Sequence, residues 1–195
     1  MKKRNVILAY DPGNEQTGWI VVLEDNSKLI YKNKDNNSDC YLKTIEFLNN
    51  KEFNIVKVGI EYPSSYGMLT NQTLLDTCTF CGILCQLFLQ YNIKPELIFR
   101  KSIKMFLNGS VRAKDSEVNN RVREYVGEDY TIKKPNSWYW NEEVEKYGGA
   151  RYANNDMYAA IAVALYLIYP HDIKIQNEKE QEKNKISKEI QIILN

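Results

Sequence analysis

The sequence predicts an α/β fold: a five-stranded mixed sheet, made of a three-strand antiparallel meander plus parallel strands, flanked by helices. Three observations carry this. Three strand-like runs follow one another near the N-terminus with only short polar connections, which reads as a meander. Two later strand-like runs are each reached through a helical segment, which reads as parallel addition to the same sheet. A final helical segment is apolar on nearly every side, so it is expected to be buried. At 195 residues, 44% apolar and 26% charged, the chain has enough material for one sizeable core.

The first strand is Asn5 to Tyr10, the run Val6-Ile7-Leu8-Ala9-Tyr10 ending in a lone carboxylate, Asp11. A Pro-Gly turn leads to the second strand, Gly18 to Glu24, and a polar turn to a short third, Lys28 to Tyr31. The Asn/Asp-rich "KNKDNNSD" is expected to be a loop, with Ser38 or Asp39 capping a helix over "SDCYLKTIEFLNN". "FNIVKVGIEYP" is the fourth strand and again ends in a carboxylate, Glu61. Thr70 to Tyr91 reads as a long helix and "ELIFR" as the fifth strand. Helices are expected near Lys101 to Leu107 and Asp115 to Val126, separated by "NGSVRA". A polar, aromatic stretch, "KKPNSWYWNEEVEKYGG", precedes the last helix, Asn155 to Tyr169. Residues 1–170 are read as one domain and 171–195 as a charged tail or terminal helix.

Composition narrows the function. The longest apolar run expected, Met157 to Tyr169, is too short to span a bilayer. The N-terminus enters the first strand without a signal-peptide pattern, so a cytoplasmic location and no membrane partner are expected. Cys78, Cys81 and Cys85 form one stripe of an apolar helix; a metal site and a set of small packing residues are the two readings, and the second is favoured by the usual burial of free cysteine. The single histidine, His171, lies beyond the last helix, which argues against serine-histidine or zinc-histidine chemistry. Net charge is +1, but Lys94 to Lys134 holds ten Lys/Arg against six Asp/Glu, while both flanking stretches are slightly acidic. That middle segment is either an electrostatic footprint for nucleic acid or an ordinary solvated face.

If strands one and four are neighbours, Asp11 and Glu61 lie side by side, and Asp156 opens the last helix after Asn154 and Asn155. Converging carboxylates without a cationic partner repel, and burying them unpaired costs several kcal/mol each. A divalent cation with hard oxygen ligands removes that penalty, and two such ions suit phosphodiester hydrolysis. Each acid also has a plain structural reading: Asp11 as a turn former, Glu61 as a solvated strand end, Asp156 as a helix-dipole partner.

Together "AYDPGNEQTGW", "VGIEYPSSYGM", "GSVRAKDSEVNNRV" and "NNDMYAAIAVALYL" resemble the RuvC-like Holliday junction resolvases of the RNase H-like fold, especially phage and prophage versions. The resemblance covers about Val6 to Tyr169. It implies a dimeric, Mg2+- or Mn2+-dependent endonuclease of the bacterial host cell that nicks four-way DNA junctions symmetrically. Asp11, Glu61 and Asp156 match the family's metal-binding acids. The family's last aspartate is replaced here by Ala159, and Asp115 is the nearest candidate substitute, although it could equally cap its helix. Arg112, Lys114, Arg121 and Arg123, with Lys101, are candidates for neutralising DNA phosphates. Tyr66, in the loop after Glu61, is a candidate for stacking on an unpaired base or a plain surface aromatic. Leu74 to Leu89 is the expected dimer seam. Two rivals remain: the phosphate loops of sugar and acetate kinases open similarly but need two such domains, and Ala159 leaves room for a non-catalytic junction-binding protein.

Overall fold

Val6 to Tyr10 are wholly buried because β1 (Arg4–Pro12) is the central strand of the sheet and is covered on both faces. The structure, a computed structural model, describes residues 2–25, 28–64, 71–126, 142–150 and 154–169. Tyr66, the 171–195 tail and the basic residues Lys133 and Lys134 lie outside the described residues.

Among the described residues the sheet has five strands in the order β3-β2-β1-β4-β5. β2 (Gln16–Leu23) returns antiparallel along β1, and β3 (Leu29–Asn36) pairs antiparallel with β2. β4 (Phe53–Tyr62) lies parallel on the other side of β1, and β5 (Glu96–Phe99) is parallel to β4. The expected mixed α/β architecture is therefore present, with the meander and the parallel additions where the pattern placed them. The β1–β4 ladder carries one irregularity: Val6 is opposite Ile55, but Ile7 is opposite Lys57, so Val56 is extra.

The alternation of the strands splits the core in two. Ile7, Ala9, Ile20, Val22 and Ile98 face α6 (Asn155–Ile168), together with α3 (Arg100–Asn108), α4 (Asp115–Val126) and Val144 of α5 (Glu142–Lys146). Val6, Leu8, Tyr10, Trp19, Tyr31 and Ile60 face α1 (Asn37–Asn49) and α2 (Gln72–Gln90). In this second layer Tyr10 stacks on Trp19 at 5.5 Å between centroids, and Trp19 meets Tyr31 at 4.5 Å.

Four expectations need correction. β3 does not stop at Tyr31; it runs through the polar residues to Asn36, because β2 extends far enough to pair with them. Their polarity is satisfied locally: Asp35 accepts hydrogen bonds from the Trp19 indole, the Tyr31 hydroxyl and the Asn33 amide. Helix α1 therefore follows the strand directly, with Asn36 at its N-cap and no side-chain cap from Ser38 or Asp39. The stretch read as polar and aromatic contains α5, seated by buried Val144 and by Tyr147, whose ring lies 5.5 Å from both Phe47 and Phe53. Lastly, α2 is apolar and long enough, at 19 residues with a mean hydropathy of 1.3, to cross a bilayer by length and composition. Here it buries Phe80, Cys81, Leu84, Leu87 and Phe88 against the rest of the fold. Cys81 is buried and Cys78 and Cys85 half-buried, all as free thiols.

Candidate active site

Asp11 is the penultimate residue of β1, and the register places Tyr10 opposite Ile60, so Asp11 and Glu61 are neighbours at the carboxyl ends of two parallel strands. Ligand sites of open α/β sheets sit at such strand ends. Both side chains lie on the α6 face: Glu61 is paired with Ile98, which belongs to that layer of the core. On the other side of Asp11 the paired residue is Gly18, and Gly18 is in turn opposite Lys34 of β3. Asp11, Gly18 and Lys34 thus form a row across three strands.

The gap left by the glycine is filled by the start of α6. A Cβ on Gly18 would lie 2.5 Å from the carbonyl carbon and oxygen of Asp156. Only glycine lets the helix approach this closely, and the approach brings Asp156 over the row. Asn154 caps the helix, accepting a hydrogen bond from the Met157 N–H at 3.0 Å, and Asn155 is tied to Asn119 of α4 at 3.2 Å. The loop after Asp11 is fixed as firmly. The Asn37 amide donates to the carbonyls of Gly13 and Asn14, both at 3.1 Å, and its oxygen accepts from Thr17 at 2.7 Å. Gly13 belongs to the same turn; a Cβ there would meet the Gln16 carbonyl at 2.6 Å.

The three sequence-predicted acids are therefore brought to one place, from three elements. Contrary to expectation, they are not without cationic partners. Lys34 pairs with Asp156 at 2.5 Å, and both side chains are about one-third exposed, at 33% and 39%. Arg100, the first residue of α3, donates to Glu61 at 3.1 Å and to Asp115 at 3.1 Å. Lys104 joins Asp115 at 3.2 Å. The Arg100–Glu61 pair is far less exposed, at 18% and 13%. An exposed pair contributes about 0–1 kcal/mol, whereas removing one member of a buried pair costs about 3–5 kcal/mol. Lys34 is thus loosely held and Arg100 firmly.

The electrostatics report the crowding. Burial pushes the Asp11 carboxyl well above the usual carboxylate range; Glu61 and Asp156 push the same way, while Arg100 and Lys34 oppose them. Glu61 is also raised, mainly by burial, against the pull of Arg100. Asp115 is lowered: burial acts upward, but hydrogen bonds from Arg100 and Lys104 outweigh it. Asp115 is not the helix cap. It sits in the first turn of α4, where Glu117 reaches back to accept from the Lys114 N–H at 2.6 Å.

A polar pocket of about 270 Å³ opens between Asp11, the Pro12–Gln16 turn, Lys34 and Asp156. The donors are hard carboxylate oxygens, which suits Mg2+ or Mn2+. Among the described residues no three acids, thiols or imidazoles gather tightly enough to enclose an ion unaided, so water or phosphate oxygens would complete any coordination shell. Ala159, one turn after Asp156, is buried.

The predicted phosphate-binding residues divide. Lys101, Arg112 and Lys114 are exposed on α3 and on the approach to α4. Arg121 is half-exposed; it donates to the Leu107 carbonyl at 3.2 Å and pairs with Glu124 at 2.7 Å. Arg123 is turned inward instead, its guanidinium 4.5 Å from the Tyr158 ring centroid, so it joins α4 to α6 rather than facing solvent. The residues missed were Lys34, Arg100 and Lys104. Counting the meander register from Asp11 through Gly18 would have found Lys34.

No protein-family model and no curated protein sequence matches the chain. Solved structures do. RuvC of Thermus thermophilus superimposes with a TM-score of 0.60 at 16% identity, over 85% of this chain and 95% of that one. The chain has the RuvC fold. T. thermophilus RuvC in complex with a Holliday junction substrate also gives 0.60, at 14% identity over 88% and 96%. The yeast mitochondrial Holliday junction resolvase Ydc2 gives 0.49 at 12% identity, over 92% and 86%.

Proposed function

We propose that the chain is a structure-specific endonuclease that cleaves four-way or otherwise branched DNA by metal-assisted phosphodiester hydrolysis. The observation that carries this is the convergence of Asp11, Glu61 and Asp156 at the carboxyl end of a RuvC-type sheet, beside a pocket that two of them line. Asp11, Glu61 and Asp156 would hold Mg2+ or Mn2+. When bound, the cation supplies an activated water and neutralises the departing oxygen.

The chain's own residues supply the rest. The Pro12-Gly13 turn keeps side-chain bulk away from the pocket mouth, so a DNA backbone can approach. Lys34 and Arg100 hold the acids in place before substrate arrives. Lys101, Arg112, Lys114 and Arg121 would neutralise phosphates without reading sequence, and Tyr66 would meet an unpaired base. Two copies are expected to join through the outer face of α2, where Leu75 and Ile83 are exposed, so that two sites face a two-fold junction. A phage or prophage origin and a cytoplasmic location go with this proposal.

The test is cleavage of a labelled four-way junction with Mg2+ or Mn2+. Asp11→Asn should abolish nicking and keep binding; a variant that cleaves at the parent rate removes the site assignment. Because cations already sit on Glu61 and Asp156 and Ala159 adds no acid, a non-catalytic junction binder is the second reading. It would bind the junction and never nick it with either metal.

A further inference from the structure

We infer that this chain binds one divalent cation and not two, because Arg100 permanently supplies the second positive charge. The inference rests on the metal-dependent nuclease proposed above and concerns how this chain's residues divide that site. The two halves of the acid cluster are held differently. On one side, Asp11 and Asp156 line the open pocket together with Lys34, whose pair with Asp156 is partly solvent-exposed. On the other side, Glu61 stands outside the lining of that pocket, and Arg100 engages its Oε2, which leaves Oε1 as the oxygen Glu61 would turn to an ion held by Asp11 and Asp156. The Glu61 carboxylate is engaged by Arg100 at 3.1 Å, with both side chains largely shielded.

Arg100 cannot leave cheaply. Its guanidinium bridges Glu61 and Asp115, one terminal nitrogen to each, which is the fixed, forked geometry that suits arginine to carboxylates. Lys104 adds a second cation at Asp115. An ion entering between Glu61 and Asp115 would meet a positive charge on both sides. Nor is a replacement ligand at hand on α6: Ala159 presents a methyl group one turn after Asp156. The opposite holds for Lys34. It is a single ammonium on a flexible stem over the pocket, so a cation arriving there needs only to displace it toward solvent. Lys34 is a place-holder for an exchangeable metal, and Arg100 is a resident counter-charge that no metal replaces.

The experiment is a Mn2+ titration of the full-length, metal-free protein without DNA, read as bound Mn2+ per chain by electron paramagnetic resonance. One equivalent is expected in the parent, lost in Asp156→Asn. Lys34→Met should tighten that site by up to about fivefold, the worth of a partly exposed ion pair. Arg100→Gln should reveal a second equivalent, absent again in the Arg100→Gln, Asp115→Asn double variant. Arg100→Lys keeps the charge and should stay at one. Two equivalents in the parent would overturn the inference alone and leave the nuclease proposal standing. No bound Mn2+ in the parent would overturn the metal-dependent proposal and this inference with it. A folded Arg100→Gln that still binds one also overturns it, and the parent stoichiometry decides even if that variant fails to fold.

Discussion

Replacing Gly18 with alanine tests whether the distance between β2 and α6 sets the active geometry. The new methyl would lie 2.5 Å from the Asp156 carbonyl group, and 2.8 Å from its Cβ, where ordinary contact begins near 3.4 Å. The obstruction is backbone, so no side-chain rotation relieves it. Relief needs a movement of roughly 1 Å by the first turn of α6, and α6 is packed along its whole inner side. Over-packing of this kind costs about 1–3 kcal/mol, which for a chain of this length lowers Tm by roughly 2–12 °C. Displacing Asp156 from Asp11 by about 1 Å is expected to slow junction cleavage by about 100-fold, measured well below the new Tm with binding checked separately. A Gly18→Ala protein with a lowered Tm but the parent cleavage rate would refute the reasoning.

Other expectations follow from the same geometry. Asp11 and Glu61 have carboxyl groups raised by folding. A raised group adds stability below its unfolded value, near pH 4, and loses it as pH climbs through the folded value. These two groups should therefore withdraw stability from the metal-free protein as pH rises above about 4, against the gain from Asp115 and Glu52, whose carboxyls are lowered; Asp11→Asn should raise Tm at neutral pH relative to the parent and flatten its share of the profile, and a profile unchanged by that substitution would argue against the crowding. Affinity for branched DNA should fall steeply with salt, with Arg112→Ala or Lys114→Ala each reducing the slope by about one unit; a salt-independent affinity counts against that surface. Gly82→Arg should fold normally yet sediment as a monomer that no longer makes paired nicks, and a dimeric Gly82→Arg would move the seam elsewhere.

The acids were legible because each stands where a pattern ends: Asp11 and Glu61 close apolar strands, and Asp156 follows a capping asparagine. Their cations were not. Lys34 lies in "KNKDNN", whose composition reads as a loop, and only pairing with β2 makes it a strand. Arg100 looked like the last residue of a strand; its use depends on α3 starting there and turning it back over Glu61. Arg123 shows the reverse error: basic residues on one helix were read as one surface, while the helix periodicity turns this one toward Tyr158.

The irregularity in the β1–β4 ladder gives the site a sensitivity to insertion and deletion that substitutions do not probe. Strict alternation from buried Phe53 would put every odd-numbered residue of β4, Glu61 included, on the α2 side. The extra residue resets the parity. Val56 packs into the α6 layer, Lys57 donates to the Leu167 carbonyl of α6 at 3.0 Å, and Val58 and Ile60 return to the α2 layer, which leaves Glu61 facing Asp11. A single residue inserted between Val58 and Glu61 would keep every side chain of the parent and yet send the carboxylate through the sheet to the wrong face. Deleting Val56 instead would regularise the strand and leave Glu61 where it is. In this strand the reading frame of the pleat, as much as the identity of the residues, is what has to be inherited.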